Sequence, residues 1–200
     1  MGAAANRTKE RILEGALALF NAEGVSSLSA LDIATALSIS PGHLYYHFRG
    51  KAELAAALMD RLEAELDLVF AAALEALTGP AGSIETLWTH VHIVLEEVQD
   101  AIFVFREPGA LAALGLDVRV RTILARLERF SDAAVEALAF AGAIRAEAEV
   151  RAGLSRALSL GLAFGLVRAA FDADLQPPRA RIARTAAEIM LPIASVATPG

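Results

Sequence analysis

Apolar residues recur three and four positions apart along nearly the whole chain, the period of helices that each bury one face. Ile12, Ala16 and Phe20 form the first stripe and predict a helix from about Arg7 to Glu23, closed by Gly24 in the left-handed C-terminal position. Ser29 heads a second helix, with Asp32 three residues on as a capping box built from the shorter acid. Ile33, Ala34 and Leu37 are its inward positions. After the link Ser38-Ile39, Ser40 caps a third helix with Pro41 in its first turn, and this helix ends near His47-Phe48. A fourth helix, from about Lys51 to Thr78, carries the stripe Leu54, Leu58, Leu62, Leu66, Val69, Ala73 and Leu77.

Thr78-Gly79-Pro80-Ala81-Gly82 breaks the chain, and Ser83 caps a helix from about Ile84 to Gln99. A short helical piece, Ala101 to Arg106, stops at Pro108-Gly109, and another precedes Gly115. Long helices follow from Asp117 to about Ala141 and from near Glu149 to Phe171, and a last one runs from about Arg179 to Leu191. The inward positions of the first of these are Val120, Ile123, Leu124, Leu127, Phe130, Ala134 and Leu138. Thr198-Pro199-Gly200 reads as a frayed end. No sustained alternation of β-branched residues predicts a sheet, so the expected class is all-α. Residues 1–50 are expected to form a three-helix module and residues 51–200 a helical bundle, with the natural division inside helix four, whose start joins the module.

Composition narrows the function. The 200 residues include no cysteine, which removes disulfides and thiolate metal sites and fits a reducing cytoplasm. The first residues lack the long apolar stretch of a signal peptide. Ala157 to Val167 is the most membrane-like segment, but Arg156 and Arg168 flank it at about half a spanning length. No membrane partner is expected. The net charge of −6 does not announce a nucleic-acid partner. Residues 1–60 carry five basic and six acidic side chains, yet the basic ones gather at the chain start and at Arg49-Lys51, giving a local positive rim.

The third helix has what a groove-reading helix needs. Gly42 is small at its start, His43, Tyr45, Tyr46 and His47 carry polar tips, and Leu44 and Phe48 are anchors four apart. Two short helices joined by a tight link make a helix-turn-helix pattern. His43 and His47 also have the spacing of a helical metal pair, but no acid in that helix completes a ligand set, so no metal is expected. Tyr45 and Tyr46 could instead be ordinary core aromatics, Tyr46 in part.

Three segments together resemble the tetracycline-repressor (TetR) family. Arg7-Thr8-Lys9-Glu10-Arg11-Ile12-Leu13 through Ala18-Leu19-Phe20 and Glu23-Gly24 is similar to its first helix. Ser29-Ala30-Leu31-Asp32-Ile33-Ala34 is similar to its second. Ile39-Ser40-Pro41-Gly42-His43-Leu44-Tyr45-Tyr46-His47-Phe48 followed by Lys51 is similar to its recognition helix and the start of helix four. The resemblance covers about a quarter of the chain. It implies that Ser29, Tyr45, His47 and Lys51 hold phosphates, so that Tyr45 is expected at DNA, and that Ser40, Pro41, Gly42, His43 and Tyr46 approach base edges. Lys51, at the positive end of helix four, suits an anion. Two departures bear on sequence reading. Leu31 stands where the family often has a polar residue able to reach a base, and the recognition helix has no Arg before Arg49, which limits bidentate guanine contacts.

The resemblance further implies a double-stranded DNA partner, a homodimer, and a small apolar or amphipathic effector bound in the bundle, with no cofactor. Trp88, His92, Phe103, Arg106, Phe130 and Phe164 are the candidate pocket residues, although aromatics at helical spacing also make ordinary core. Gly153, Ala157, Gly161, Gly165 and Ala169, at four-residue steps, form a ridge of small side chains that invites close approach. The partner there is either the twin subunit, with Ile182, Ala186 and Ile189 of the last helix completing the interface, or another helix of the same chain. No credible nucleophile–base pair or paired-carboxylate arrangement appears, so catalysis is not expected. The expectation is a ligand-responsive dimeric repressor. A helical small-molecule-binding protein with a vestigial DNA module is the alternative.

Overall fold

The computed structural model describes residues 2–80, 82–171 and 178–198. Its helices in chain order are α1 (Gly2–Glu23), α2 (Ala30–Ala36), α3 (Pro41–His47), α4 (Lys51–Thr78), α5 (Ile84–Asp100), α6 (Phe103–Arg106), α7 (Pro108–Ala113), α8 (Asp117–Phe140), α9 (Ala148–Phe171) and α10 (Pro178–Ala194). Among the described residues there is no strand; an isolated antiparallel bridge pairs Ile144 with Ala197. The all-α expectation holds. The α1 helix begins earlier than its apolar stripe, because the alanines ahead of Arg7 favour helix without needing a buried face. The short piece stops at Arg106 ahead of Pro108 as expected, and Pro108 itself opens the next helix, α7, since its missing N–H is free of obligation in a first turn. Thr198 is not frayed: its N–H donates to Ala143 O at 3.0 Å, and Arg145 N–H donates to Val196 O at 3.0 Å.

The chain divides into two compact units. One comprises residues 1–62 and 101–121, and the other comprises residues 63–100 and 122–200. The division therefore falls inside α4 rather than at residue 50, and it assigns α6 and α7 to the N-terminal unit. In that unit Ile12, Ala16, Phe20, Ile33, Leu44, Phe48, Leu54 and Phe103 are buried. Each large side chain among them contributes roughly 1.5–3 kcal/mol by leaving water. Phe103 rests on Phe20 with ring centroids 5.4 Å apart.

In the second unit α5, α9 and α10 pack on one another. The predicted α4 stripe is corrected at one position: Phe70, not Val69, is buried, and it stacks on Phe130 at 4.4 Å and 11°, while Ala73 and Leu77 are buried as expected. Positions 69 and 70 lie three and four residues beyond Leu66, so both border the apolar face, and the larger ring takes the place against Phe130.

Candidate nucleic-acid interface

The helix-turn-helix is built by local hydrogen bonds. Ser29 Oγ accepts from Asp32 N–H at 3.2 Å, and the Asp32 carboxylate accepts from Ser29 N–H at 2.8 Å, so the capping box is complete. These bonds from the Ser29 hydroxyl and backbone hold the Asp32 carboxyl below its ordinary range. Helix α2 ends in a Schellman turn, with Ile39 N–H on Ala34 O and Ser38 N–H on Thr35 O, both at 3.0 Å. Ser38 supplies the left-handed residue, φ +54°. Ser40 Oγ then accepts from His43 N–H at 3.1 Å and starts α3, with Pro41 in the first turn.

On α3, Leu44 and the following Phe48 are buried, while His43, Tyr45 and Tyr46 are exposed, Tyr46 at 81%. Tyr46 is thus no core aromatic. Nothing stands within 4 Å of a Cβ built on Gly42, so the backbone there is open to close approach. The His43 and His47 rings lie 5.3 Å apart, and Tyr46 meets His47 edge-on at 5.0 Å. Among the described residues no group of three or more His, Asp and Glu has the arrangement of a metal site. Leu31 is exposed on α2. Ser29, Ser40, Pro41, Gly42, His43, Tyr45, Tyr46 and His47 therefore stand on the short α2–α3 hairpin, with exposed or half-exposed surfaces.

Lys51 has a different setting from the open phosphate ligand that the resemblance implies. Its ammonium donates to Val25 O at 2.7 Å and to Leu28 O at 2.6 Å. Two of its three donors hold the α1–α2 corner, which makes it a positioning residue for Ser29. Lys9 also has its ammonium near the module core, 5.4 Å from the Phe48 ring centroid.

The six candidate pocket residues are divided between the two units. Phe103 and Arg106 belong to the N-terminal unit, where Phe103 is core and Arg106 donates to Asn21 O at 2.8 Å and Phe20 O at 3.1 Å. Trp88 and His92 share a helix face with rings 5.2 Å apart. Phe130 is buried beside Phe70, and Phe164 is partly exposed. The distribution follows from the fold: α6 is tied to α1 by contacts that no local pattern announces.

The small-residue ridge splits. Cβ atoms on Gly161 and Gly165 would meet Ile189 Cγ1 at 2.5 Å and Thr185 Cγ2 at 2.6 Å, so their close approach is to α10 of the same chain. Ile182, Ala186 and Ile189 are buried in that packing and are not available to a partner. Gly153 and Ala157 are exposed. The Ala169 side chain lies outside the described residues.

The N-terminal fold defines a helix-turn-helix protein. Residues 12–58 match the family profile described as "Bacterial regulatory proteins, tetR family". Over these residues the chain is similar to the N-terminal module of that family. It is 32% identical over 93 residues to the HTH-type transcriptional regulator SrpR of Pseudomonas putida, a match covering 46% of this chain and 40% of that protein. The match to this curated relative thus spans less than half its length. A TetR-family transcriptional regulator from Marinobacter aquaeolei has a solved structure similar over 96% of this chain and 92% of its own, with a TM-score of 0.78 and 24% identity. SmeT, solved as a complex with triclosan, aligns over 97% and 93% with a TM-score of 0.66 and 18% identity. These structural likenesses extend the shared fold beyond the matched module.

Proposed function

We propose that the chain is a transcriptional repressor that binds a palindromic operator as a homodimer and responds to a small apolar or amphipathic ligand. The observation that carries this reading is α3: a short helix anchored by buried Leu44, capped by Ser40, and presenting His43, Tyr45 and Tyr46 to solvent over an open Gly42. Such a helix, with α2 crossing the backbone, fits a major groove. The partner is double-stranded DNA, with no cofactor required. No helix among the described residues is long and apolar enough to cross a membrane, and the cytoplasm is the setting this reading assigns.

The ligand site is placed in the second unit. The surface there carries an open groove lined by Leu77, Thr78, Pro80, Glu136, Ala137 and the exposed Phe140, a mixed apolar and polar lining that suits an amphipathic molecule. Triclosan, the ligand in the SmeT structure, illustrates the class of molecule.

Fluorescence anisotropy with DNA from upstream of the chain's own gene tests the reading. With roughly six phosphates neutralised per dimer, log K falls against log salt with a slope near −5. His43→Ala changes relative base preference. Equal binding to that DNA and to random duplex at every salt concentration overturns the proposal.

A further inference from the structure

The α1–α2 corner, residues 24–28, is an irregular turn in which Gly24 is left-handed at φ +88°. Its local bonds are few, with Ser27 Oγ donating to Glu23 O at 2.8 Å and Gly24 N–H to Phe20 O at 3.0 Å. Partners distant in sequence add to them. Glu107 accepts from Ser26 N–H at 3.2 Å and from Ser26 Oγ at 2.9 Å. Arg106, its neighbour, donates to Phe20 O and Asn21 O, the last carbonyls of α1. Phe103 N–H donates to Asn21 Oδ1 at 3.2 Å. A Cβ on Gly24 would lie 2.7–2.9 Å from the Glu107 carboxylate, so the acid is seated against bare backbone. On the opposite charge sign, Lys51 holds Val25 O and Leu28 O. The corner leads directly into Ser29, the cap of α2.

The segment that supplies Phe103, Arg106 and Glu107 belongs to the N-terminal unit, yet α5 runs into it and α8 runs out of it. It is therefore the part of the module whose two ends continue into helices of the other unit. We propose that Arg106 and Glu107 are positioning residues for DNA recognition: they latch the 101–121 segment onto the α1–α2 corner, and opening the latch lowers affinity for the operator. The latch acts at a distance from the bases, by fixing where Ser29 and the α2 N-terminus stand. Burial alone would raise the Glu107 pKa, but hydrogen bonds from Ser26 and Val25 and the Arg106 charge outweigh it and keep the carboxyl below 4.5. The latch is thus closed at neutral pH. This inference rests on the DNA-binding reading above.

The test uses the full chain and the duplex from upstream of its gene. Glu107→Ala weakens binding about tenfold, Ser26→Ala weakens it less, and the double variant is no weaker than Glu107→Ala because both remove one interaction. Glu107→Asp, which retains an acceptor, restores part of the loss. Thermal unfolding is followed for each variant, and a loss that tracks melting temperature alone overturns the proposal. Unchanged affinity in Glu107→Ala also overturns it. Amide exchange at Ser26 reports the latch without DNA: faster exchange in Glu107→Ala with no DNA binding by any form refutes the repressor reading and with it this inference, while unchanged exchange refutes the latch alone.

Discussion

Ser38 carries a backbone conformation that glycine tolerates best, φ +54°, in the turn between α2 and α3. Left-handed geometry costs an L-residue roughly 1–2 kcal/mol, of which glycine returns part as unfolded-chain entropy. Ser38→Gly is expected to stabilise the chain by about 0.5–1 kcal/mol in urea unfolding, and a lower midpoint would show that the Ser38 side chain supports the turn. Glu97 is a residue of opposite character. Burial, then the Glu65 carboxylate and its hydrogen bond, then Asp100 and Glu96, raise its pKa from 4.5 to about 7. Between those values the folded chain binds more protons than the unfolded chain, so stability falls as pH rises through that window. Glu97→Gln should be more stable than the parent at pH 8, by roughly 1 kcal/mol after solvent screening of a half-buried group, with the gain gone at pH 4. An equal gain at both pH values would sink the charge account. The caps at Ser29 and Ser40 were legible because their partners lie three residues away. Glu107 was not, because Ser26 is 81 positions distant and a lone acid before a proline has no local signature.

Helices α9 and α10 show where periodic reading stops. The four-residue recurrence marks close approach at Gly161 and Gly165 but not at Gly153, and spacing within one helix does not name the partner. Gly161 and Gly165 admit Ile189 and Thr185 of α10, whereas Gly153 has nothing within 4 Å of its built Cβ. Two variants separate these roles. Gly161→Leu drives a side chain into Ile189 and is expected to cost about 1–3 kcal/mol of the chain's own stability through overpacking. Gly153→Ala lies in open helix and should gain close to 1 kcal/mol of helix propensity. Chemical denaturation of both decides the matter, and a Gly161→Leu chain as stable as the parent contradicts the observed packing. The length of α4 was legible to the residue at both ends, since Lys51 follows a glycine and Gly79-Pro80 follows Thr78. The division between units inside α4 was legible too, but its position after Leu62 was not, because a continuous apolar stripe reads the same whichever core it enters.

At the scale of the whole molecule, the proposed homodimer needs an apolar face that a single chain leaves open. Removing Ile182, Ala186 and Ile189 from that role shifts attention along α9. Ala157, Leu160 and Phe164 follow at steps of three and four, so they share one stripe, and all are exposed, Leu160 at 54%. Leu191 adds an exposed apolar side chain on α10. Single exposed apolar residues are ordinary, whereas an exposed apolar stripe with an aromatic is the composition of a buried interface. In a two-fold dimer any substitution enters twice, so one buried charge is opposed by its own copy. Leu160→Glu is expected to leave the isolated chain within about 0.5 kcal/mol of the parent, as for other surface changes. It should raise the dimer dissociation constant at least tenfold, about 1.4 kcal/mol. Operator affinity should fall with it, because two half-sites are read only by two joined modules. Sedimentation equilibrium of Leu160→Glu beside Leu68→Glu, an exposed leucine on α4 outside the stripe, makes the comparison. Dissociation by Leu160→Glu alone supports the α9 stripe, and dimers of parental strength in Leu160→Glu exclude it.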